Sequence, residues 1–267
     1  MRLVRPSFLI AAAALFVAVV VGARVAARHF LFPGGDCAPG PCPSGFVEHE
    51  LTASDGVKVH ALELPAPGAD KTVVYFHNNR ETIDVRADLA RNLRKRGFGV
   101  LLVEYRGYGR SADGSACEEG LYLDAEAALD MLEARGETSE RIVLWGTSLG
   151  TGVAAEMARR GRGAHLVLMT PYTSIPDLVT EAVPVLPASL LVPDHFDTLA
   201  KARQIHVPTL VIHGNADEIV PFWMGARLSD EIPNAHLVLI EGGNHGDLFA
   251  RGGDDLLARV QAFARGQ

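Results

Sequence analysis

The chain has 267 residues, 48% of them hydrophobic and 21% charged, with a net charge of −7 and a pI near 5.8. That profile suits a folded globular protein long enough to bury a sizeable core. It argues against a nucleic-acid partner, because no run of Lys and Arg supplies the basic face that such a partner needs.

The N-terminus differs from the rest. Arg2 and Arg5 precede an apolar or small stretch from Ser7 to Ala23, and Arg24 and Arg28 follow it. The stretch is longer than most signal-peptide cores and slightly short of the roughly 20 residues that cross a bilayer. Two fates are open: cleavage at the small residues Val21-Gly22-Ala23, or retention as an anchor with Arg24 snorkelling to the interface. A buried core helix fits less well, since the segment is terminal, uniformly apolar and flanked by cations. Residues 1–28 are therefore read as a signal peptide or signal anchor. The expectation is a membrane-anchored protein with its folded part outside the cytoplasm, or a secreted or periplasmic one after cleavage. Residues 29–45 read as a Gly/Pro-rich linker. Within it, Cys37 and Cys42 can pair in an oxidising compartment or stand as two unrelated thiols. A zinc site lacks a second ligand pair of suitable spacing.

From residue 46 onward the pattern is regular, and one domain is expected over 46–267. Phe46 to Thr52 and Val57 to Leu64 alternate like strands around a turn at Ser54-Asp55-Gly56. Short continuous apolar runs follow: Val73–Phe76, Val100–Val103, Ile142–Trp145, Leu166–Met169, Leu210–Ile212 and Leu237–Ile240. Runs without alternation suggest strands buried on both faces, as in a parallel sheet. Helix-like stretches separate them: Glu81–Arg96, Leu121–Arg135, Leu149–Arg160, Phe222–Glu231 and Asp254–Ala264. Strands alternating with helices predict an α/β fold with a mainly parallel central sheet flanked by helices and an antiparallel opening pair. Prolines at 171, 176, 184, 187, 193 and 208 break this rhythm. The segment of about 171–206, directly after a strand, is expected to form a short lid of broken helices over a site at the carboxyl edge of the sheet.

The sharpest motif is Gly146-Thr147-Ser148-Leu149-Gly150, between a strand-like run and a helix-like one. Gly-x-Ser-x-Gly in that context projects a Ser hydroxyl from a tight turn, and the amide of the next residue, Leu149, faces the space where an oxyanion forms. A hydroxyl near its normal pKa needs a base beside it. His245, in the loop Gly242-Gly243-Asn244-His245-Gly246 after the last strand, is the candidate. The acid that orients the imidazole is expected at Asp217, in His213-Gly214-Asn215-Ala216-Asp217 after another strand, with Glu218 and Asp247 as competitors. The chain order Ser, Asp, His agrees with that reading. A second oxyanion donor is expected from the loop His77-Asn78-Asn79-Arg80, at the Asn79 amide. No cofactor and no metal is called for. The Gly-rich segments lack dinucleotide spacing, and His206 and His213 with Asp217 make a poor ligand set.

On these marks the chain resembles the α/β-hydrolase superfamily over roughly residues 46–265. It looks most like the small, short-lidded, membrane-associated abhydrolase-domain serine hydrolases, whose relatives include protein depalmitoylases. The matching residues are His77-Asn78-Asn79 where relatives have His-Gly-Asn, and Glu104-Tyr105-Arg106-Gly107-Tyr108-Gly109-Arg110-Ser111 where they begin with Asp. The elbow at 146–150, the segment 213–217 and the Gly-x-x-His end at 242–245 complete the set. The departures are Asn78 for glycine, which bears on the turn of the oxyanion loop, and Glu104 for Asp. The resemblance implies a serine esterase or thioesterase acting on a small acyl substrate, a lipid-linked one included. An amidase or peptidase on the same residues and a non-catalytic binding protein are the alternatives. One fold hosts many chemistries, so the substrate stays open.

Overall fold

A computed structural model describes residues 6–34, 37–111 and 114–267. Arg2 and Arg5 of the N-terminal reading lie outside the described residues. Helix α1, Pro6–Leu31, opens the chain and covers 29–31 of the expected linker. Its segment Ala14–Leu31 is long and apolar enough to cross a membrane, and it is not buried in the protein.

Strands β1 (Val47–Thr52) and β2 (Lys58–Leu64) form the antiparallel opening pair. Then follow β3 (Lys71–Phe76), α2 (Ala87–Lys95), β4 (Phe98–Val103), α3 (Glu118–Ala134), β5 (Ile142–Thr147), α4 (Leu149–Arg159) and β6 (His165–Met169). The Pro-rich segment folds as three short helices, α5 (Ile175–Ala182), α6 (Ala188–Leu191) and α7 (Thr198–Lys201). The chain closes with β7 (Thr209–Gly214), α8 (Phe222–Glu231), β8 (Ala235–Ile240) and α9 (Leu248–Ala264).

The eight strands form one sheet in the order β1-β2-β4-β3-β5-β6-β7-β8. From β4 to β8 all neighbours are parallel, and β2 meets β4 antiparallel. Helices α3, α4 and α8 pack their apolar residues on one face, around Leu144, Leu168 and Val211. Helices α2 and α9 cover the other, around Tyr75, Trp145 and Ile212. The two-layer cover explains why β4 and β5 carry continuous apolar runs, since every side chain along them is buried. β8 departs from that expectation: Leu237 and Leu239 stay exposed, because it is the edge strand.

Three helix starts differ from the pattern reading. Before α2 the chain makes a 3-10 turn, Ile83–Arg86, and the Glu81 carboxylate ahead of it pairs with Arg86 and accepts from the Asn78 amide. α3 begins earlier, at Glu118, where the Cys117 sulfur accepts from the Gly120 amide at 3.4 Å. α9 begins at Leu248 and breaks at Gly253, whose φ of 48° and ψ of −140° leave helical space. Among the described residues Cys37 and Cys42 are not joined by a disulfide.

Candidate active site

The parallel strands all point one way, so the loops after β3, β5, β7 and β8 gather at one edge of the sheet. Those loops carry His77–Arg80, Ser148, Asp217 and His245.

Ser148 sits between β5 and α4 with φ 51° and ψ −117°, a conformation that costs free energy for a residue with a side chain. The glycines on either side permit it. A Cβ on Gly146 would run into the backbone of Gly150 and Thr151, and one on Gly150 would run into the Phe76 carbonyl. The Ser148 amide donates to the Met169 carbonyl at 2.9 Å, which fixes the turn against β6.

His245 Nε2 lies 3.0 Å from Ser148 Oγ, and His245 Nδ1 lies 2.9 Å from Asp217 Oδ2. Asp247 does not compete for that place. Its carboxylate accepts from the Asn244 amide at 2.7 Å and pairs with Arg251, so it braces the loop that carries His245. Glu218 is exposed, whereas the Asp217 side chain is fully buried.

The buried Asp217 carboxylate has many partners. Oδ1 accepts from the amides of Ile219 and Val220, each at 2.9 Å. Oδ2 faces His245 and also His213, whose Nε2 is 3.4 Å away. Burial alone would push this carboxyl up, but hydrogen bonds with His213 and His245, the adjacent His245 charge and the Val220 amide hold it well below the usual carboxylate range. His213 is the supporting residue to which sequence reasoning gave no role at the site, beyond its place in the matching segment 213–217 and as a poor metal ligand. Its Nε2 lies 3.0 Å from the Val220 carbonyl, so that nitrogen carries the proton. The signal was its place four residues before Asp217 at the end of a buried strand. Among the described residues no group of His, Cys, Asp or Glu is arranged to hold a metal ion.

The loop after β3 reaches the same place. Asn79 and Leu149 both line a cavity of about 520 Å³ that contains Ser148 and His245. The Asn79 side chain donates to the Leu31 carbonyl at 3.2 Å, and the Asn79 carbonyl accepts from the Tyr108 hydroxyl at 3.2 Å. Asn78 has no positive φ, so this loop does not require the glycine that relatives carry. Its side chain instead accepts from the Arg80 amide at 2.8 Å.

Beneath the loop lies a buried pair, with His77 Nε2 3.5 Å from Glu104 Oε1. Burial pushes His77 down to about 4 and Glu104 up to about 8, the latter against the Ile83 amide bond that favours its charged form. Both are therefore mainly uncharged near neutral pH. His77 also stacks on Tyr105, with ring centroids 4.2 Å apart. In the Pro-rich segment Leu178 lines the cavity, while Val185, Leu186 and Leu190 are exposed.

Residues 67–196 match the family model described as serine aminopeptidase, S33, and residues 191–263 match that of TAP-like protein. A putative alpha/beta hydrolase, L404, of Acanthamoeba polyphaga mimivirus is 30% identical over 205 residues, covering 74% of this chain and 76% of its own. The chain belongs to the α/β-hydrolase superfamily. Another relative within reach of this superfamily member is a protein of Mycobacterium tuberculosis (strain H37Rv), 33% identical over 217 residues, 80% of this chain and 77% of that one. An esterase of Pyrococcus furiosus has the same α/β-hydrolase fold, with a TM-score of 0.69 at 22% identity over 83% of this chain and 92% of that one.

Proposed function

We propose that the protein is a serine hydrolase that cleaves carboxylic ester or thioester bonds through an acyl-enzyme intermediate. One observation carries the reading: an unbroken line from Ser148 Oγ through both nitrogens of His245 to a buried Asp217 carboxylate, with spacings of 3.0 and 2.9 Å. In this reading Ser148 Oγ attacks the acyl carbonyl carbon and its proton passes to His245 Nε2. The oxyanion rests between the amides of Asn79 and Leu149, the latter at the N-terminus of α4. Collapse expels the alcohol or thiol, which takes the proton from His245. Water then attacks the acyl-Ser148 ester as His245 removes its proton, the acyl–Oγ bond breaks, His245 returns the proton to Ser148 Oγ, and the carboxylic acid leaves. Asp217 holds Nδ1–H and stabilises the imidazolium in both halves.

The segment 171–206 acts as a lid, and α1 as a membrane anchor that holds the catalytic domain on the extracytoplasmic side. The folded domain begins near residue 46. The substrate is a small acyl ester or thioester, and lipid-linked acyl groups suit an anchored enzyme. Cleavage of an amide is the second reading, favoured by the match to the serine aminopeptidase model.

Full-length protein in detergent is the material for the test. A fluorophosphonate is expected to label the wild type and not Ser148→Ala, with Asp217→Ala and His245→Ala labelled far more slowly. Labelling that persists in Ser148→Ala rejects the assignment. Rates on acyl esters, thioesters and matched aminoacyl amides then rank the two readings, and faster release from the amides puts the peptidase first.

A further inference from the structure

We propose that the last turn of α1 is one wall of the acyl-binding cleft, and that the site draws its acyl chain from the lipid layer that α1 crosses. This rests on the hydrolase reading above.

The C-terminal end of α1 does not stand off from the folded domain. Arg28 forks onto Asp194, at 2.7 and 3.2 Å, and the Asp194 side chain is only 3% exposed. Asp194 also accepts from the Glu118 amide at 2.9 Å, which ties this corner of the lid to α3. Arg24 donates to the Leu190 carbonyl of α6 at 3.0 Å. The Leu31 carbonyl accepts from Asn79, the residue assigned to the oxyanion hole. Phe32 meets Phe196 edge-on with ring centroids 6.2 Å apart. Gly34 then lies so close to Tyr108 and the Gly107 carbonyl that no Cβ fits.

These contacts bring Phe30 and Leu31 to the cavity that holds Ser148. Ile175 and Leu178 line it from the lid, and Ile219 from the loop after β7. Five apolar residues from three elements therefore line one cavity beside the nucleophile. Such a lining takes a hydrocarbon chain far better than a charged peptide.

Depth along α1 supplies the source of that chain. Arg24 and Leu31 are separated by about 10 Å of helix, and α6 contacts α1 at the level of Arg24. The part before Arg24, from Pro6 to Ala23, extends roughly 27 Å, close to the hydrocarbon thickness of a bilayer. Arg24 and Arg28 then mark the headgroup level, α6 lies at that level, and the cavity, which α1 reaches at Phe30 and Leu31, opens about 5 Å beyond Arg28. The exposed apolar residues agree with such a position: Phe30 is 79% exposed, Val185 89% and Ile219 61%. On a water-facing surface these side chains would gain nothing, whereas at a bilayer interface they bury apolar area.

The test uses the full chain reconstituted in phosphatidylcholine vesicles, with p-nitrophenyl palmitate as the probe. In one arm the ester shares the vesicles with the protein, and in the other it is held in a separate vesicle population mixed in at equal lipid. An initial rate at least tenfold higher in the first arm is expected. Leu31→Trp should also lower the ratio of kcat/KM for palmitate to that for acetate at least tenfold. If Leu31→Trp fails to fold, Leu31→Ala serves, with at least a threefold change in that ratio. Equal rates from both vesicle populations, or an unchanged ratio in the folded variants, overturn the inference. When the fluorophosphonate still labels Ser148, that result rejects the α1 wall alone. A wild type that is not labelled removes the hydrolase reading and this inference with it.

Discussion

Asp217→Asn separates the electrostatic role of this carboxylate from its structural one. In the wild type Oδ1 accepts two amides and Oδ2 faces His245 Nδ1. An Asn side chain keeps its oxygen on the Ile219 and Val220 amides, because turning the amide round would set donors against donors. Its NH2 group then faces His245 Nδ1, 2.9 Å away in the wild-type geometry. That nitrogen has to accept, so the single ring proton moves to Nε2. Nε2 lies 3.0 Å from Ser148 Oγ and can no longer take the serine proton. In the proposed mechanism the imidazolium of the transition state also loses its counter-charge. Together these effects are worth about four orders of magnitude in kcat, or ~5.5 kcal/mol of barrier. Stability should fall less than in Asp217→Ala, because both amides keep an acceptor and only the stabilisation of the charged carboxylate by His213 and His245 is lost. Asp217→Ala orphans both and should cost about 1–3 kcal/mol for each. The assay is kcat on a soluble acetate ester alongside urea denaturation of each variant. An Asp217→Asn enzyme within tenfold of wild-type kcat would refute the proton accounting.

Other consequences are equally direct. Glu104 titrates at about 8 in the folded chain and near 4.5 when unfolded, so between pH 6.5 and 8 the folded state binds more protons and stability falls as pH rises. The loss is ~1.4 kcal/mol per pH unit, about 2 kcal/mol over that window, and Glu104→Gln should abolish it; parallel unfolding profiles for the two proteins would count against it. His77 works in the opposite sense between about 4 and 6.5, where the unfolded chain binds the extra proton, so His77 and Glu104 offset each other below pH 6.5. Gly150→Ala places a Cβ about 2.8 Å from the His77 carbonyl, and should lower both Tm and the rate of Ser148 labelling; an unchanged labelling rate would show that the elbow tolerates the shift. Asp194→Ala leaves the half-buried Glu118 amide without its acceptor and Arg28 without its partner. About 1–3 kcal/mol of stability should be lost, with Asp194→Asn losing less, as read by denaturant unfolding.

Local chemistry and periodicity were enough to read much of this molecule. The continuous apolar runs at 100–103 and 142–145 announced buried parallel strands, and the structure places them inside the sheet with helices on both faces. The Gly-x-Ser-x-Gly turn was legible because the steric demand on Gly146 acts within five residues, whereas the demand on Gly150 comes from the end of β3 and shows only in the fold. Periodicity could not locate the edge of the sheet, so the exposure of Leu237 and Leu239 came only with the strand order. Nor did it place the helix start at Glu118, which is capped by one side-chain contact to a single backbone group.

Ser148, Asp217 and His245 could be named from sequence because each sits in a short loop directly after a strand, and parallel strands deliver such loops to one edge. The support around them depends on long-range contacts that no local pattern carries. His213 lies against Asp217 only because β7 is buried at that point, and Glu104 meets His77 only because β3 and β4 are neighbours. The starkest case is α1. Its sequence alone marks an apolar segment of nearly membrane-spanning length. That its last turn reaches the candidate active site was decided by tertiary contacts, in which a buried Asp194, 166 residues further on, draws in Arg28 and the Asn79 side chain, 48 residues on, donates to the Leu31 carbonyl. Charge and hydrogen-bond partners at such separation leave no periodic trace, so only the folded chain shows where that helix ends.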